Sequence, residues 1–248
     1  MRLPTLRGTI DRRLLVNFRV DPQILAAVLP APFRPQLANG WGMAGICLIR
    51  LRHIRPRLWP ASLGISSENA AHRVAVEWYE AGRTRSGVFI PRRDTSSRLN
   101  AWAGGRLFPG EHGWARFDVR EDVNRFHVAL DSEDGRTHVL VDGSVAQQLP
   151  KSSVFSTLEA ASEFFRQGAL GYSATRQPGV YDGLELHCQT WRVEPLGVDR
   201  VESSYFEDRR LFPEGAATFD CALLMRGIPH QWRSQPSLHN AETSCLPA

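Results

Sequence analysis

The stretch HRVAVEWY, residues 72–79, gives the clearest indication of how this chain folds. Val74, Val76 and Trp78 stand at alternate positions, and this two-residue period is typical of a β-strand with one face turned toward a core. Gly82 follows as a turn residue and leads into a second apolar run at 87–91. We therefore predict two consecutive strands in this part of the chain.

Outward from this pair, similar runs recur along most of the sequence, and turn residues separate them. No repeat of 20–50 residues and no regular alternation of strands with helices accompanies them. The further predicted strands cover residues 14–20, 45–54, 114–120, 125–131, 137–142, 184–194, 199–207 and 217–225.

Three short helices are predicted between the strands. Asp21 caps the first, and Pro30 ends it. The second follows the polar run 94–97. The third, 156–167, has the clearest signal, because Ser156 begins a capping box ahead of an apolar helical face.

These elements predict an α+β fold dominated by antiparallel β-sheet. A length of 248 residues fits one large β-rich domain, and we assign residues 1–232 to it. Residues 233–248 are polar with little to pack, so we expect a flexible C-terminal tail.

Composition excludes several classes of protein. Hydrophobic residues make up 42% and charged residues 23%, as in soluble globular proteins. No apolar run is long enough to span a bilayer, and the N-terminus lacks a secretory signal, so we expect no membrane association and a cytoplasmic location. The net charge is +4, but the 30 basic residues, all arginine except Lys151, are scattered, and we expect no nucleic-acid partner.

Motifs for common cofactors and metals are missing from the sequence. There is no Walker loop, no GxGxxG and no GxSxG, so we predict no cofactor. The four cysteines form no CxxC pair, and no histidine spacing resembles a zinc site, so no metal is expected.

Polar residues stand among apolar ones in four clusters, which are the candidate sites. An arginine in a half-buried pocket can bind an anion, and a glutamate beside a histidine can transfer protons. For Arg92–Asp94 and for Glu111–His112 the alternative is an ordinary solvated turn, and we expect at least one of Arg92 and Arg93 to be ion-paired at the surface. The clusters are Arg12–Arg13, residues 66–73, residues 90–95 and the glycine-rich stretch GGRLFPGEHGWARF, residues 104–117.

Four segments together make the sequence resemble the acetoacetate decarboxylase-like superfamily, within a bacterial branch of uncharacterised members. They are RVDPQILAAVLPAPF (19–33), SSENAAHRVAVEW (66–78), GVFIPRRDTSSRLNAWAGGRLFPG (87–110) and SSYFEDRRLFPEGAATFDCALLMRGIPHQW (203–232). The resemblance implies a β-barrel or sheet core with a few short helices and a pocket for a small molecule.

The resemblance also assigns positions to the site. The superfamily's active-site glutamate matches Glu68, and its arginine near the start falls at Arg12 or Arg13. The decarboxylases form a Schiff base on a lysine just after the proline of the 104–109 stretch, and here Gly110 and Glu111 hold that place. Neither can form an imine, so we predict that Schiff-base decarboxylation is absent.

We therefore expect a pocket that binds a small carboxylate or carbonyl compound or acts on it by acid/base chemistry. The candidate catalytic residues are Glu68, His112 and Glu111, and the candidate binding residues are Arg12, Arg13, Arg73, Arg93 and Arg106. In this prediction Glu68 and Arg106 line one cavity, with His112 at its rim. A non-catalytic binder and a protein-interaction scaffold are the alternatives, and assembly into a homo-oligomer remains open.

Overall fold

A computed structural model describes residues 5–105 and 110–240 of the chain. Thirteen strands form one mixed sheet in these residues, so the predicted α+β fold dominated by antiparallel sheet is confirmed. The strands are β1 (Leu6–Val20), β2 (Arg34–Pro35), β3 (Leu37–Ala38), β4 (Trp41–Pro56), β5 (Ile65–Glu80), β6 (Arg83–Thr95), β7 (His112–Glu121), β8 (Arg125–Ser132), β9 (His138–Val145), β10 (Leu170–Ala174), β11 (Val180–Cys188), β12 (Glu194–Ser203) and β13 (Ala217–His239).

The helices are short and lie between strands. They are α1 (Pro22–Ala27), α2 (Arg98–Ala103) and α3 (Leu158–Arg166), with single 3-10 turns at Ala61–Leu63 and Gln167–Ala169. Asp21 caps α1 as predicted, because its carboxylate accepts from two backbone N–H groups of the first turn. The cap of α3 is Thr157 rather than Ser156, since the Thr157 hydroxyl accepts from the backbone N–H of Ala160.

The strand pairings close two rings that share one wall. The wall is β13-β1-β4-β5-β6, and all four of its pairings are long and antiparallel. On one side β10 and β11 connect β6 back to β13, and on the other β7, β8, β9 and β12 make the same connection. Because side chains alternate along each strand, successive wall residues face opposite rings.

Each face of the wall packs against its own apolar core. Leu14, Val16 and Leu48 belong to the larger core, which includes residues of β8 and β9. Leu15 and Cys47, their immediate neighbours in sequence, belong to the second core, which α3 covers with Phe165. The alternating side chains of 72–79 therefore pack into two apolar cores, one on each side of the sheet.

The C-terminal part of the chain differs from the prediction. The last strand was expected over 217–225 and the tail from 233, yet β13 continues to His239. Its distal half pairs with β11, from His230 opposite Cys188 to His239 opposite Val180. This cross-strand partner lies about fifty residues earlier in the chain, so the local polar composition gave no sign of it.

The strands before it are also displaced. They were predicted over 184–194 and 199–207 but form at 180–188 and 194–203. The second ends at Ser203 because the following segment turns, and the Glu207 side chain accepts from the Ser203 N–H.

Candidate functional site

The ring formed by β1, β4, β5, β6, β10, β11 and β13 contains a cavity of about 170 Å³. Each of these seven strands contributes to its wall, which is mainly apolar, with Ile49, Ile90, Leu186 and Trp232 among the lining residues. Its polar and charged lining consists of Arg13, Asn69, Arg73, Arg93, Asp94, Asn100 and His112. A mostly apolar cavity with a few convergent polar groups is the usual form of a small-molecule site.

Strand register explains why these side chains meet. Cys47, Ala71 and Arg93 stand opposite one another on β4, β5 and β6, so they face the cavity in one row. The next row contains Gly45 opposite Arg73. The small side chains of these rows leave the space that the long arginines and the cavity occupy.

Arg73 is buried, with 6% of its surface exposed. Its Nη2 donates to Asn17 Oδ1 at 2.5 Å, whereas its Nε has no hydrogen-bond partner. The contact passes over Gly45, where an added Cβ would lie 3.2 Å from the Asn17 oxygen and 2.4 Å from a backbone oxygen. Burial lowers the pKa of Arg73 to about 10, which leaves it a cation at neutral pH.

Arg13 and Arg93 are the other cations of the cavity. Arg13 is 9% exposed, and its Nε donates to Cys47 Sγ at 3.2 Å. Arg93 is partly buried, donates from Nε to Ser173 Oγ at 3.3 Å, and has its pKa lowered to about 10 by burial.

No carboxylate among the described residues forms an ion pair with Arg13, Arg73 or Arg93. Asp94 also reaches the cavity wall, but it pairs with Arg92 at 2.6 Å, and Arg92 pairs with Asp134 at 2.8 Å. The two neighbouring arginines of this segment therefore differ, since Arg92 is ion-paired and Arg93 is left with neutral partners. Burying unpaired cations is unfavourable unless an anion joins them.

His112 lies where the cavity meets a larger, more polar cleft of about 610 Å³. Its Nδ1 is 3.0 Å from the carbonyl oxygen of Gly110. Because a carbonyl only accepts, Nδ1 carries the proton, and Nε2 keeps a lone pair in the neutral ring. Burial and the nearby charge of Arg93 lower the pKa of His112 to about 4, so the ring is neutral at physiological pH.

Gly110 has φ of +78°, a conformation that strains any residue with a side chain. A Cβ there would lie 2.8 Å from the Ser173 Cβ and 3.0 Å from Arg93 Nε. The place that the resemblance gives to a lysine is thus occupied by the Arg93–Ser173 contact. The single lysine of the chain, Lys151, is exposed and does not line the cavity.

Two of the predicted residues lie on the opposite face of the wall. Arg12 Nη2 is 2.5 Å from Glu68 Oε2, and Glu68 also pairs with Arg50, which in turn pairs with Glu121. Arg12 Nε lies 3.0 Å from Glu121 Oε2, without hydrogen-bond geometry. Contrary to the prediction, Glu68 therefore does not line the cavity with the arginines.

The reason is a single step of strand alternation. Asn69, the residue after Glu68, is the one that faces the cavity, and Arg13 faces it rather than Arg12. Sequence reasoning assigned no site role to Asn69, Asn100 or Cys47. The alternation of 72–79, extended back to 69, does point Asn69 toward the same side as Arg73, but Glu68 was chosen because of the resemblance.

The remaining predicted residues are Glu111 and Arg106. Glu111 has 71% of its side chain exposed, lies 3.5 Å from Arg176, and lines the larger cleft rather than the cavity. Arg106 lies outside the described residues. The expected pairing of Glu68 with Arg106 therefore has one member turned away from the cavity and one that the structure does not describe.

The described ranges, 5–105 and 110–240, hold no group of three or more His, Cys, Asp or Glu side chains arranged to bind a metal ion. They also hold no helix whose length and apolar character would let it cross a membrane.

Solved structures share this fold. An acetoacetate decarboxylase from Legionella pneumophila superposes with a TM-score of 0.62 at 10% identity, covering 95% of this chain and 88% of that chain. The enduracididine biosynthesis enzyme MppR, complexed with pyruvate, gives 0.62 at 11% identity, covering 98% and 93%. An acetoacetate decarboxylase-like enzyme from Sphingomonas wittichii RW1 gives 0.58 at 12% identity, covering 95% and 92%.

At these identities the likeness establishes the fold alone. Comparison with curated proteins finds no match. A family model, DUF2071, described as an uncharacterized conserved protein, matches residues 8–229. The chain thus belongs to the DUF2071 family, and its fold is that of the acetoacetate decarboxylase-like proteins.

Proposed function

We propose that the cavity binds a small carboxylate through Arg13, Arg73 and Arg93, and that His112 performs acid/base chemistry on the bound molecule. The observation that carries the proposal is the set of three cavity arginines without a carboxylate partner among the described residues. A bound carboxylate would accept from the free Arg73 Nε and neutralise charge that the protein leaves unpaired.

The size of the cavity limits the ligand. A cavity of about 150 Å³ accommodates a molecule of the size of benzene. The volume of about 170 Å³ therefore suits a ligand of about six non-hydrogen atoms, the size of pyruvate. Pyruvate is also the molecule named in the complex of MppR.

The chemistry follows from the state of His112. A neutral ring with Nε2 free can remove a proton from carbon next to a carbonyl group, and the guanidinium ions can stabilise the enolate that forms. Schiff-base chemistry has no support, because Lys151 lies outside the cavity. Treatment with pyruvate and borohydride should therefore leave the mass of the protein unchanged.

Binding is tested by calorimetric titration with pyruvate and with its neutral amide. We expect binding of pyruvate alone, and a loss on the order of tenfold or more in Arg73→Met, the range of one charge-assisted hydrogen bond. Lys151→Met, which removes an exposed cation, should bind as the wild type. Equal binding of acid and amide, or unchanged binding by Arg73→Met, would contradict the proposal.

Catalysis is tested by following exchange of the pyruvate methyl protons in D₂O by NMR. The protein should accelerate exchange, and His112→Gln should abolish the acceleration while retaining most of the affinity. Binding without any acceleration would favour the alternative of a non-catalytic ligand-binding protein.

A further inference from the structure

Cys47 stands among the cavity arginines. It lies in the middle of β4 with 7% of its surface exposed, and it lines the cavity. Arg13 donates to its sulfur from Nε at 3.2 Å. Arg93 is in the same cross-strand row, separated from Cys47 only by Ala71, whose methyl group leaves the space between them open.

This environment differs from that of the other described cysteines. Burial raises the pKa of the Cys188 thiol, and burial together with the neighbouring Asp220 raises the pKa of Cys221. Neither sulfur accepts from a guanidinium group, whereas Cys47 does. Reactive cysteines in proteins are found in electropositive surroundings of this kind.

A second observation supports an anion-binding position in the same cavity. Arg73 lines the same cavity, is more than nine-tenths buried, and has an Nε without a hydrogen-bond partner. A carboxylate bound there would lie in the cavity that Cys47 lines. The cavity thus combines a nucleophile with a binding site for the charged end of a small molecule.

We propose that Cys47 is a site of covalent modification, at which the thiol reacts with a small carboxylate that carries an electrophilic carbon. The inference rests on the carboxylate binding proposed above. With an α,β-unsaturated acid, a bond forms between Cys47 Sγ and the β-carbon. The π electrons move to the α-carbon, which takes a proton from water, and the thiol proton leaves to solvent. The product is a thioether, and no oxidant or reductant is needed.

The test compares two alkylating probes of equal size, iodoacetate and iodoacetamide, on the full chain. In both reactions the C–S bond forms, the C–I bond breaks and iodide leaves. Peptide mass mapping gives the rate at each cysteine, and Cys47→Ser confirms the assignment. The reference is the same rate ratio at Cys47 in the urea-unfolded chain, where the cavity is absent.

In the folded protein we expect the ratio of iodoacetate to iodoacetamide at Cys47 to exceed the reference on the order of tenfold, as electrostatic focusing in a charged cleft allows. Arg73→Met should reduce the ratio, and pyruvate should slow the reaction. A ratio equal to the reference, or no labelling of Cys47 by iodoacetate, would overturn the proposal.

The outcomes also separate this inference from the proposed function. If pyruvate binds but the ratio of iodoacetate to iodoacetamide labelling stays at its reference value, Cys47 is not the proposed nucleophile, while the proposed binding site is retained. If the ratio is high but neither pyruvate nor another carboxylate of its size binds, the reactive thiol stands without the proposed function.

Discussion

Arg12 and Arg13 are adjacent on β1 and both are buried. Their side chains lie on opposite faces of the sheet and have different partners. Arg12 faces the larger core side and is bound to Glu68, with Glu121 close by. Arg13 faces the cavity, and its partners are the sulfur atoms of Cys47 and Met225. A step of one residue along the strand therefore separates Arg12, whose charge is neutralised, from Arg13, which has no counter-ion among the described residues.

Under the proposed function, the difference separates buried charges that stabilise the fold from buried charges that would bind a ligand. A buried ion pair is destabilising to break, because the remaining charge loses its partner. A buried cation without an acidic partner already carries that penalty in the native protein. Removing this cation breaks no ion pair, so the free energy of unfolding should change little. The contrast between the two faces therefore makes opposite predictions for stability and for binding.

A large effect is expected on the ion-paired face. Glu68→Gln should lower the free energy of unfolding by about 3 kcal/mol, because Arg12 and Arg50 both lose a charged partner. Urea denaturation measures the loss, and pyruvate binding should be unchanged. The matched control is Glu163→Gln, which breaks the exposed Arg166 pair and should change stability by less than about 1 kcal/mol.

The two results must differ for the account to hold. A Glu68→Gln protein as stable as the Glu163→Gln control would show that the network is not structural. Loss of pyruvate binding with full stability would return Glu68 to the site.

A smaller effect is expected from pH on the same face. His72 is 1% exposed, and burial lowers its pKa to about 3 from the ordinary value of 6.5. Below pH 6.5 the unfolded chain takes up a proton there that the folded chain refuses. Stability should therefore fall with decreasing pH, by up to about 1.4 kcal/mol per pH unit from this histidine.

Urea unfolding at pH 7, 6 and 5 measures this slope, and His72→Asn should make it shallower. His138 is the control of opposite sign, because Asp131 and Glu202 raise its pKa. Its contribution to the free energy of unfolding is therefore fully present below pH 6.5 and is lost as the pH rises. An unchanged slope in His72→Asn would mean that this histidine takes up a proton in the folded state.

The smallest effect is expected at the edge of the cavity. Ser173→Ala removes the long hydrogen bond that orients Arg93 but leaves the charge in place. We expect pyruvate binding to weaken about two- to threefold, corresponding to about 0.5 kcal/mol. Calorimetry should show a clearly larger loss for Arg93→Met, and equal losses in the two variants would argue that Arg93 does not bind through its charge.

The sequence predicted the strands of the shared wall well, because the alternation of 72–79 reflects burial on two faces. It missed the extension of β13 to His239, since that strand depends on pairing with β11. For the site, the sequence identified Arg13, Arg73, Arg93 and His112 as candidates, and the structure places all four around the cavity. It did not distinguish Arg12 from Arg13 or Glu68 from Asn69, because an uncertainty of one residue in register reverses the face of a side chain.

The most direct test of the central claim is the same substitution at the two neighbouring arginines. Arg12→Met should lower the free energy of unfolding by about 3–5 kcal/mol and leave pyruvate binding intact in the folded fraction. Arg13→Met should change stability by no more than about 1 kcal/mol and weaken pyruvate binding on the order of tenfold. Equal losses of stability in both variants, or wild-type affinity in Arg13→Met, would contradict the account.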